Sequence, residues 1–124
     1  MFEIQVEHGF AAGHALRGYR GKCENVHGHN YRVQARLQGE NLDAIGLLCD
    51  FKDIKAWLRE IGESLDHQFL NDLEPFRNVN PSAENLARYV FERLQERVRQ
   101  IPGLSLDRVT VFETDTTSAS YRQP

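Results

Sequence analysis

The sequence predicts an α+β fold, a four-stranded antiparallel sheet with two helices on one face, in the order strand, strand, helix, helix, strand, strand. Three observations carry this. Apolar and polar residues alternate with a period of two near both ends of the chain, and helical spacing governs two segments in the middle. The connections within each strand pair are hairpin-like, which antiparallel pairing accepts.

From Phe2 to Ala12 the apolar residues Phe2, Ile4, Val6 and Phe10 fall on alternate positions, with Glu3, Gln5 and Glu7 between them. This is the pattern of a half-buried strand, and His8 and His14 share its even phase. Gly13 to Val26, with its glycines and the basic residues Arg17, Arg20 and Lys22, reads as a loop. His29, Tyr31, Val33, Ala35 and Leu37 then alternate with polar residues in a second strand that stops at Gly39-Glu40-Asn41. Asp50 can cap a helix whose apolar stripe is Phe51, Ile54, Trp57 or Leu58 and Ile61, ending near Gly62. Leu65 to Leu73 carries no periodic signal, and Pro75 to Pro81 is a connection. Ser82 begins a second helix along Leu86, Tyr89 or Val90, Leu94 and Val98, stopped by Pro102-Gly103. Val109, Val111 and Glu113 then share one face of a strand and Thr110 and Phe112 the other, before a T-D-T-T-S turn and an extended piece through Tyr121. A sheet with open edges invites pairing with further copies.

The 124 residues predict a single domain over 1–124, and a net charge of -3, with 18 acidic against 15 basic residues, argues against nucleic acid as a partner. No window is apolar enough to span a membrane and the N-terminus lacks the pattern of a leader, so a cytoplasmic protein without a membrane partner is expected. Cys23 and Cys49 are the only cysteines, and both are read as reduced thiols.

Chemistry concentrates in Cys23 to His29, C-E-N-V-H-G-H. On a strand His27 and His29 point the same way, and the glycine between them is expected to leave room, so they form a two-pronged metal clamp. Zinc suits imidazole ligands and commonly takes three protein ligands in catalytic sites. If the first two strands pair as a hairpin, His14 joins the pair at its open end. His8, about 20 Å from His14 along an extended strand, is too far to share the metal. Cys23 is either a fourth ligand closing a structural site or a free thiol activated by the nearby Arg17, Arg20 and Lys22. Asp66-His67 offers an imidazole and a carboxylate, but a surface pair is the simpler reading, since helical neighbours do not face each other. The basic run would be a phosphate handle if the site takes an anion. Glu113 is either an edge-strand charge or a buried carboxylate awaiting a donor-rich ligand, and Cys49 is a packing residue.

Five motifs, F-A-A-G-H at Phe10 to His14, C-E-N-V-H-G-H-N-Y at Cys23 to Tyr31, D-H-Q-F-L-N at Asp66 to Asn71, P-S-A-E-N at Pro81 to Asn85 and E-T at Glu113-Thr114, together resemble the 6-pyruvoyltetrahydropterin and 6-carboxytetrahydropterin synthase family. The resemblance spans nearly the whole chain. It implies a tunnelling fold, with subunits joined edge to edge into a homo-oligomer, here a hexamer of two stacked trimers, and active sites between subunits. It implies zinc (Zn2+) on His14, His27 and His29, Cys23 as catalytic thiol with Asp66 and His67 as acid/base partners from a neighbouring subunit, and Glu113 as anchor of the pterin ring. Ser82 joins the substrate-binding residues. Charge alone, rather than the family, suggests that Arg17, Arg20 and Lys22 hold the triphosphate of the substrate.

Three residues between Cys23 and H-G-H look like the 6-carboxytetrahydropterin synthases of queuosine and deazapurine synthesis, which form 6-carboxy-5,6,7,8-tetrahydropterin from 7,8-dihydroneopterin triphosphate and release acetaldehyde and triphosphate. Glu24 also gives the E-x-x-H-G-H pattern of relatives that make 6-hydroxymethyl-7,8-dihydropterin for folate synthesis, so a second activity or a solvent-facing Glu24 stay open. Pyruvoyl formation, and a noncatalytic zinc-stabilised binding module with Cys23 as fourth ligand, are the remaining alternatives. Gly13 departs from the alanine or serine more usual in the family, which would loosen the backbone at His14.

Overall fold

The computed structural model describes residues 1–19 and 25–124. Arg20, Lys22, Cys23 and Glu24 lie outside the described residues. The elements are β1 (Phe2–His14), β2 (His27–Gly39), α1 (Phe51–Leu65), α2 (Ala83–Val98), β3 (Ser105–Thr114) and β4 (Thr117–Tyr121). They form one sheet in the order β1-β2-β3-β4, antiparallel at every step, so the predicted architecture holds.

Even-numbered residues of β1 (Val6, Phe10, Ala12, His14) and odd-numbered residues of β2 (Tyr31, Val33, Ala35, Leu37) are buried, and Val109 and Val111 continue that face on β3. Burying alternate residues is what a sheet with one covered face requires. α1 packs on β1, and α2 on β3 and β4, placing both helices on that one side. Leu58 rather than Trp57, and Val90 rather than Tyr89, enter the core. Phe51, expected on the apolar stripe of α1, is instead 52% exposed at the first position of the helix, and the buried stripe starts at Ile54.

Asp50 caps α1 as predicted, its carboxylate accepting from the Lys52 N–H at 2.9 Å. The helix continues past Gly62 to Leu65. Gly62 is the contact point with β1: a Cβ there would stand 2.7 Å from His8 Nε2, so the glycine permits close approach instead of stopping the helix. The segment without periodicity contains one short 3₁₀ turn, Leu70–Asp72, and a second, Glu74–Phe76, runs into the connection that follows. Just before them the chain runs beside β1, where the Gly13 N–H donates to Gln68 O at 3.0 Å and the His67 N–H to Ala11 O at 2.6 Å. The last hairpin turn is tighter than expected, with β4 already begun at Thr117.

Candidate metal centre and cleft

Pairing of β1 with β2 sets His14 opposite His27 and Ala12 opposite His29, so the three imidazoles meet at the open end of the hairpin on its buried face. One ring nitrogen from each lies within 4.8 Å of the others. The His14 Nδ1–H donates to Pro81 O at 2.7 Å and the His27 Nδ1–H to Asn25 O at 2.7 Å. A carbonyl can only accept, so both rings carry their lone pair on Nε2 when neutral. These two Nε2 atoms face each other across 2.9 Å. Two lone pairs so close repel unless a cation lies against both. His29 Nε2 is buried without a hydrogen-bond partner among the described residues, and its pKa is lowered, chiefly by burial. A neutral third imidazole and two fixed tautomers fit a metal ion, with the backbone carbonyls as outer supports that set ring orientation.

The Glu113 carboxylate faces the same point, with Oε1 3.9 Å from His14 Nε2 and Oε2 3.9 Å from His29 Nε2. Because β3 is an inner strand, the edge-charge reading of Glu113 does not hold. Tyr31, which strand alternation alone identifies as core, turns out to border the centre. Its ring stacks on Phe10 at 5.1 Å and lies edge-on to His14 and His29. Its hydroxyl is buried and has no partner among the described residues. Position 28 faces away from the rings, so Gly28 does not make the expected room between them. A Cβ there would meet only Ala12 O at an ordinary 3.6 Å. Gly13 is held on both sides, by β2 and by Gln68, which leaves little slack at His14.

A cleft of about 480 Å³ opens beside His29, lined by residues of β1, β2 and the 67–69 segment, and His67 also reaches it, while His14 and His27 do not line it. Asp66 and His67 do face each other, contrary to the helical-neighbour argument. The helix has ended, Asp66 is extended, and His67 adopts a left-handed φ of 56° that folds its ring back, bringing Nδ1 to 2.8 Å from Asp66 Oδ2. A non-glycine residue in that region is held there by its surroundings, here by the His67 N–H bond to Ala11 O. The other oxygen, Asp66 Oδ1, accepts from the Ala11 N–H at 2.9 Å. That bond first, and then the one to His67, hold the Asp66 carboxyl below its ordinary pKa. Asp66 thus orients an exposed imidazole toward the cleft, an acid/base arrangement.

Ser82 caps α2, its hydroxyl accepting from the Asn85 N–H at 3.2 Å, and shares a smaller pocket with Glu113 and Thr117. Arg17 is exposed but tied down: its Nη2 donates to Asn71 O at 3.2 Å and Phe76 O at 2.9 Å, joining the loop after β1 to the 70–76 connection. Asn71 and Asn80 reinforce this, each pairing through its amide with the backbone of Ala15 and Arg17 respectively. Sequence reasoning gave these asparagines no role, although Asn71 lies in a singled-out motif and is buried at the end of a polar run. His8 stays apart from the centre, against α1, as expected.

The fold matches that of 6-pyruvoyl tetrahydropterin synthase from Caenorhabditis elegans, with a TM-score of 0.87 and 28% identity over 99% of this chain and 96% of that one. A sheet of this order with helices on one face is therefore the tunnelling fold of the pterin synthases. The family model described as 6-pyruvoyl tetrahydropterin synthase matches residues 3–124. The chain is 34% identical to a 6-carboxy-5,6,7,8-tetrahydropterin synthase of Synechocystis over all of this chain and 95% of that protein. It is also 37% identical to human 6-pyruvoyl tetrahydrobiopterin synthase over 82% of this chain and 71% of that protein. The chain belongs to the 6-pyruvoyl tetrahydropterin synthase family, and its general function is that of a pterin synthase.

Proposed function

We propose that the protein is a zinc-dependent lyase that converts 7,8-dihydroneopterin triphosphate to 6-carboxy-5,6,7,8-tetrahydropterin, with release of acetaldehyde and triphosphate, in deazapurine (queuosine) synthesis. The observation that carries this is the convergence of three histidine nitrogens, two with tautomers fixed by carbonyls, with one of the three residues, His29, lining a cleft that also receives the Asp66-oriented His67. The carboxy product is favoured by the relatives that match end to end: those of Synechocystis and Haemophilus influenzae are both 6-carboxy-5,6,7,8-tetrahydropterin synthases, and the latter is 29% identical over 99% of this chain and all of its own.

His14, His27 and His29 would hold the ion, which when bound supplies Lewis acidity that makes a C–H beside the substrate hydroxyls easier to deprotonate. His67 takes or returns the proton at Nε2, while Asp66 at Nδ1 keeps the tautomer and stabilises the charged ring. Cys23 is assigned the partner thiol in that proton transfer. Glu113 accepts from the amino group and ring N–H of the pterin, a pair of donors that suits one carboxylate. Ser82 adds a hydroxyl near the same ring, and Arg17, Arg20 and Lys22 serve the triphosphate. The working unit in this reading is a cytoplasmic hexamer of two stacked trimers, with sites completed between subunits.

The test is product identification by mass after incubating zinc-loaded protein with 7,8-dihydroneopterin triphosphate, for the wild type and Glu24→Ala. 6-Carboxytetrahydropterin from both is expected. Hydroxymethyldihydropterin that disappears with Glu24→Ala would replace this reading with the folate branch. Absence of turnover, with Cys23→Ala losing zinc, would point instead to a binding module.

A further inference from the structure

The face of the sheet turned away from the helices carries charge that the pterin chemistry does not use. Arg32 and Arg36 of β2 and Arg108 of β3 all occupy outward positions there. Arg36 stands directly opposite Arg108, with Gln34 opposite Thr110 and Arg32 opposite Phe112 along the same ladder. Like charges directly opposite on neighbouring strands repel. Among the described residues no carboxylate forms an ion pair with Arg36 or Arg108. Arg32 has Glu7 Oε1 at 3.8 Å from its Nε, too far for a hydrogen bond. The Nε atoms of Arg32 and Arg108 are both shielded from solvent and have no hydrogen-bond partner among the described residues. A shielded guanidinium N–H without an acceptor is costly, and more so beside a second cation.

The floor between these residues is polar and already satisfied: Thr110 Oγ1 and Ser120 Oγ bond each other at 2.6 Å, and Thr110 is buried beneath the surrounding side chains. The Arg32 guanidinium carbon lies 4.1 Å from the centre of the Phe112 ring. That contact uses the face of the guanidinium and leaves its N–H edge for an acceptor in the plane.

We propose that this uncovered face is a binding site for a small multivalent oxyanion of the condensed-phosphate class, held between Arg36 and Arg108 with Arg32 at one side. Forked guanidinium donors match phosphate oxygens, and several clustered cations call for more than one negative charge. A nucleotide fits less well, because the one aromatic ring on the ladder is already occupied by Arg32. The site lies on the opposite face of the sheet from the histidines and is independent of the proposed reaction.

The probe is inorganic tripolyphosphate, titrated into the full-length protein and followed by 31P NMR at constant ionic strength. Wild type, Arg36→Lys, Arg36→Gln and Arg36→Gln/Arg108→Gln are compared at equal metal content and all in an Arg17→Gln/Arg20→Gln/Lys22→Gln background, so that chelation by the probe is common to all and the proposed triphosphate handle is removed from all. The expected result is saturable binding that weakens by about tenfold or more in Arg36→Gln, further in the double variant, and less in Arg36→Lys, which keeps charge but loses the fork. In anion-free buffer the double variant should melt no lower than wild type, because a like-charge pair has been removed. Equal affinity in wild type and double variant would overturn the proposal. So would a double variant that melts lower without anion or dissociates in sedimentation, since the arginines would then be serving a protein contact.

Discussion

At the scale of single residues, two backbone carbonyls decide what the histidine centre can do. Pro81 O and Asn25 O hold the Nδ1–H groups of His14 and His27, so each Nε2 points inward with its lone pair. Nothing in the spacing of H-G-H foretells these acceptors, because Pro81 is 67 residues away from His14. The histidines themselves were legible, since a period of two and a hairpin suffice to bring them together. The mutual contact of Asp66 and His67 was not, because it depends on the left-handed backbone of a residue just past a helix end. The Ala11 N–H bond to Asp66, and after it the contact with His67, have a consequence in acid. The folded pKa of Asp66 is lowered, so its stabilising contribution is present above the unfolded value near 3.8 and is lost as pH falls through the folded one. Asp66→Ala should therefore flatten the acid limb of a chemical-denaturation profile below about pH 4 and leave its neutral shape unchanged. An acid limb identical to wild type would remove Asp66 from that account.

At the scale of elements, alternation and helical spacing located all four strands and both helices, because each buries one face against a common core. What they missed were positions where two elements touch. Gly62 resembles a helix stop in sequence, yet it is the place where His8 meets α1. Gly39 is a second such contact: a Cβ there would lie 2.5 Å from Gly103 O and 2.6 Å from Leu48 Cδ1. A backbone carbonyl cannot swing away as a side chain can, so Gly39→Ala should lower unfolding free energy by about 1–3 kcal/mol in a urea titration. Unchanged stability would mean that the 39–103 approach is loose. Ser82 separates two roles at the start of α2. Ser82→Ala should cost about 0.5–2 kcal/mol through the lost cap. If the hydroxyl also serves substrate, KM should rise; an unchanged KM leaves it a cap alone.

At the scale of the whole molecule, the sheet is closed on one face by helices and bounded by β1 and β4 as edges, with β1 covered near its end by the 67–69 segment. Both the proposed trimeric rings and the arginine-bearing face depend on surfaces that one chain leaves uncovered. Sequence patterning reads such surfaces poorly, because outward positions need only be polar to satisfy it. Sedimentation equilibrium should give a mass of about six chains if the edge-to-edge reading is right. A monomer would contradict sites shared between subunits.

The most direct test of the central claim is zinc reconstitution. Metal-stripped protein is titrated with zinc while product from 7,8-dihydroneopterin triphosphate is followed, in parallel with His14→Ala, His27→Ala and His29→Ala. The account predicts no product without metal, activity rising linearly to one zinc per chain, and weakened zinc binding in each variant measured by dialysis against a chromogenic chelator. Full turnover in the stripped protein, or stoichiometric zinc retained by the three variants at wild-type affinity, would contradict it.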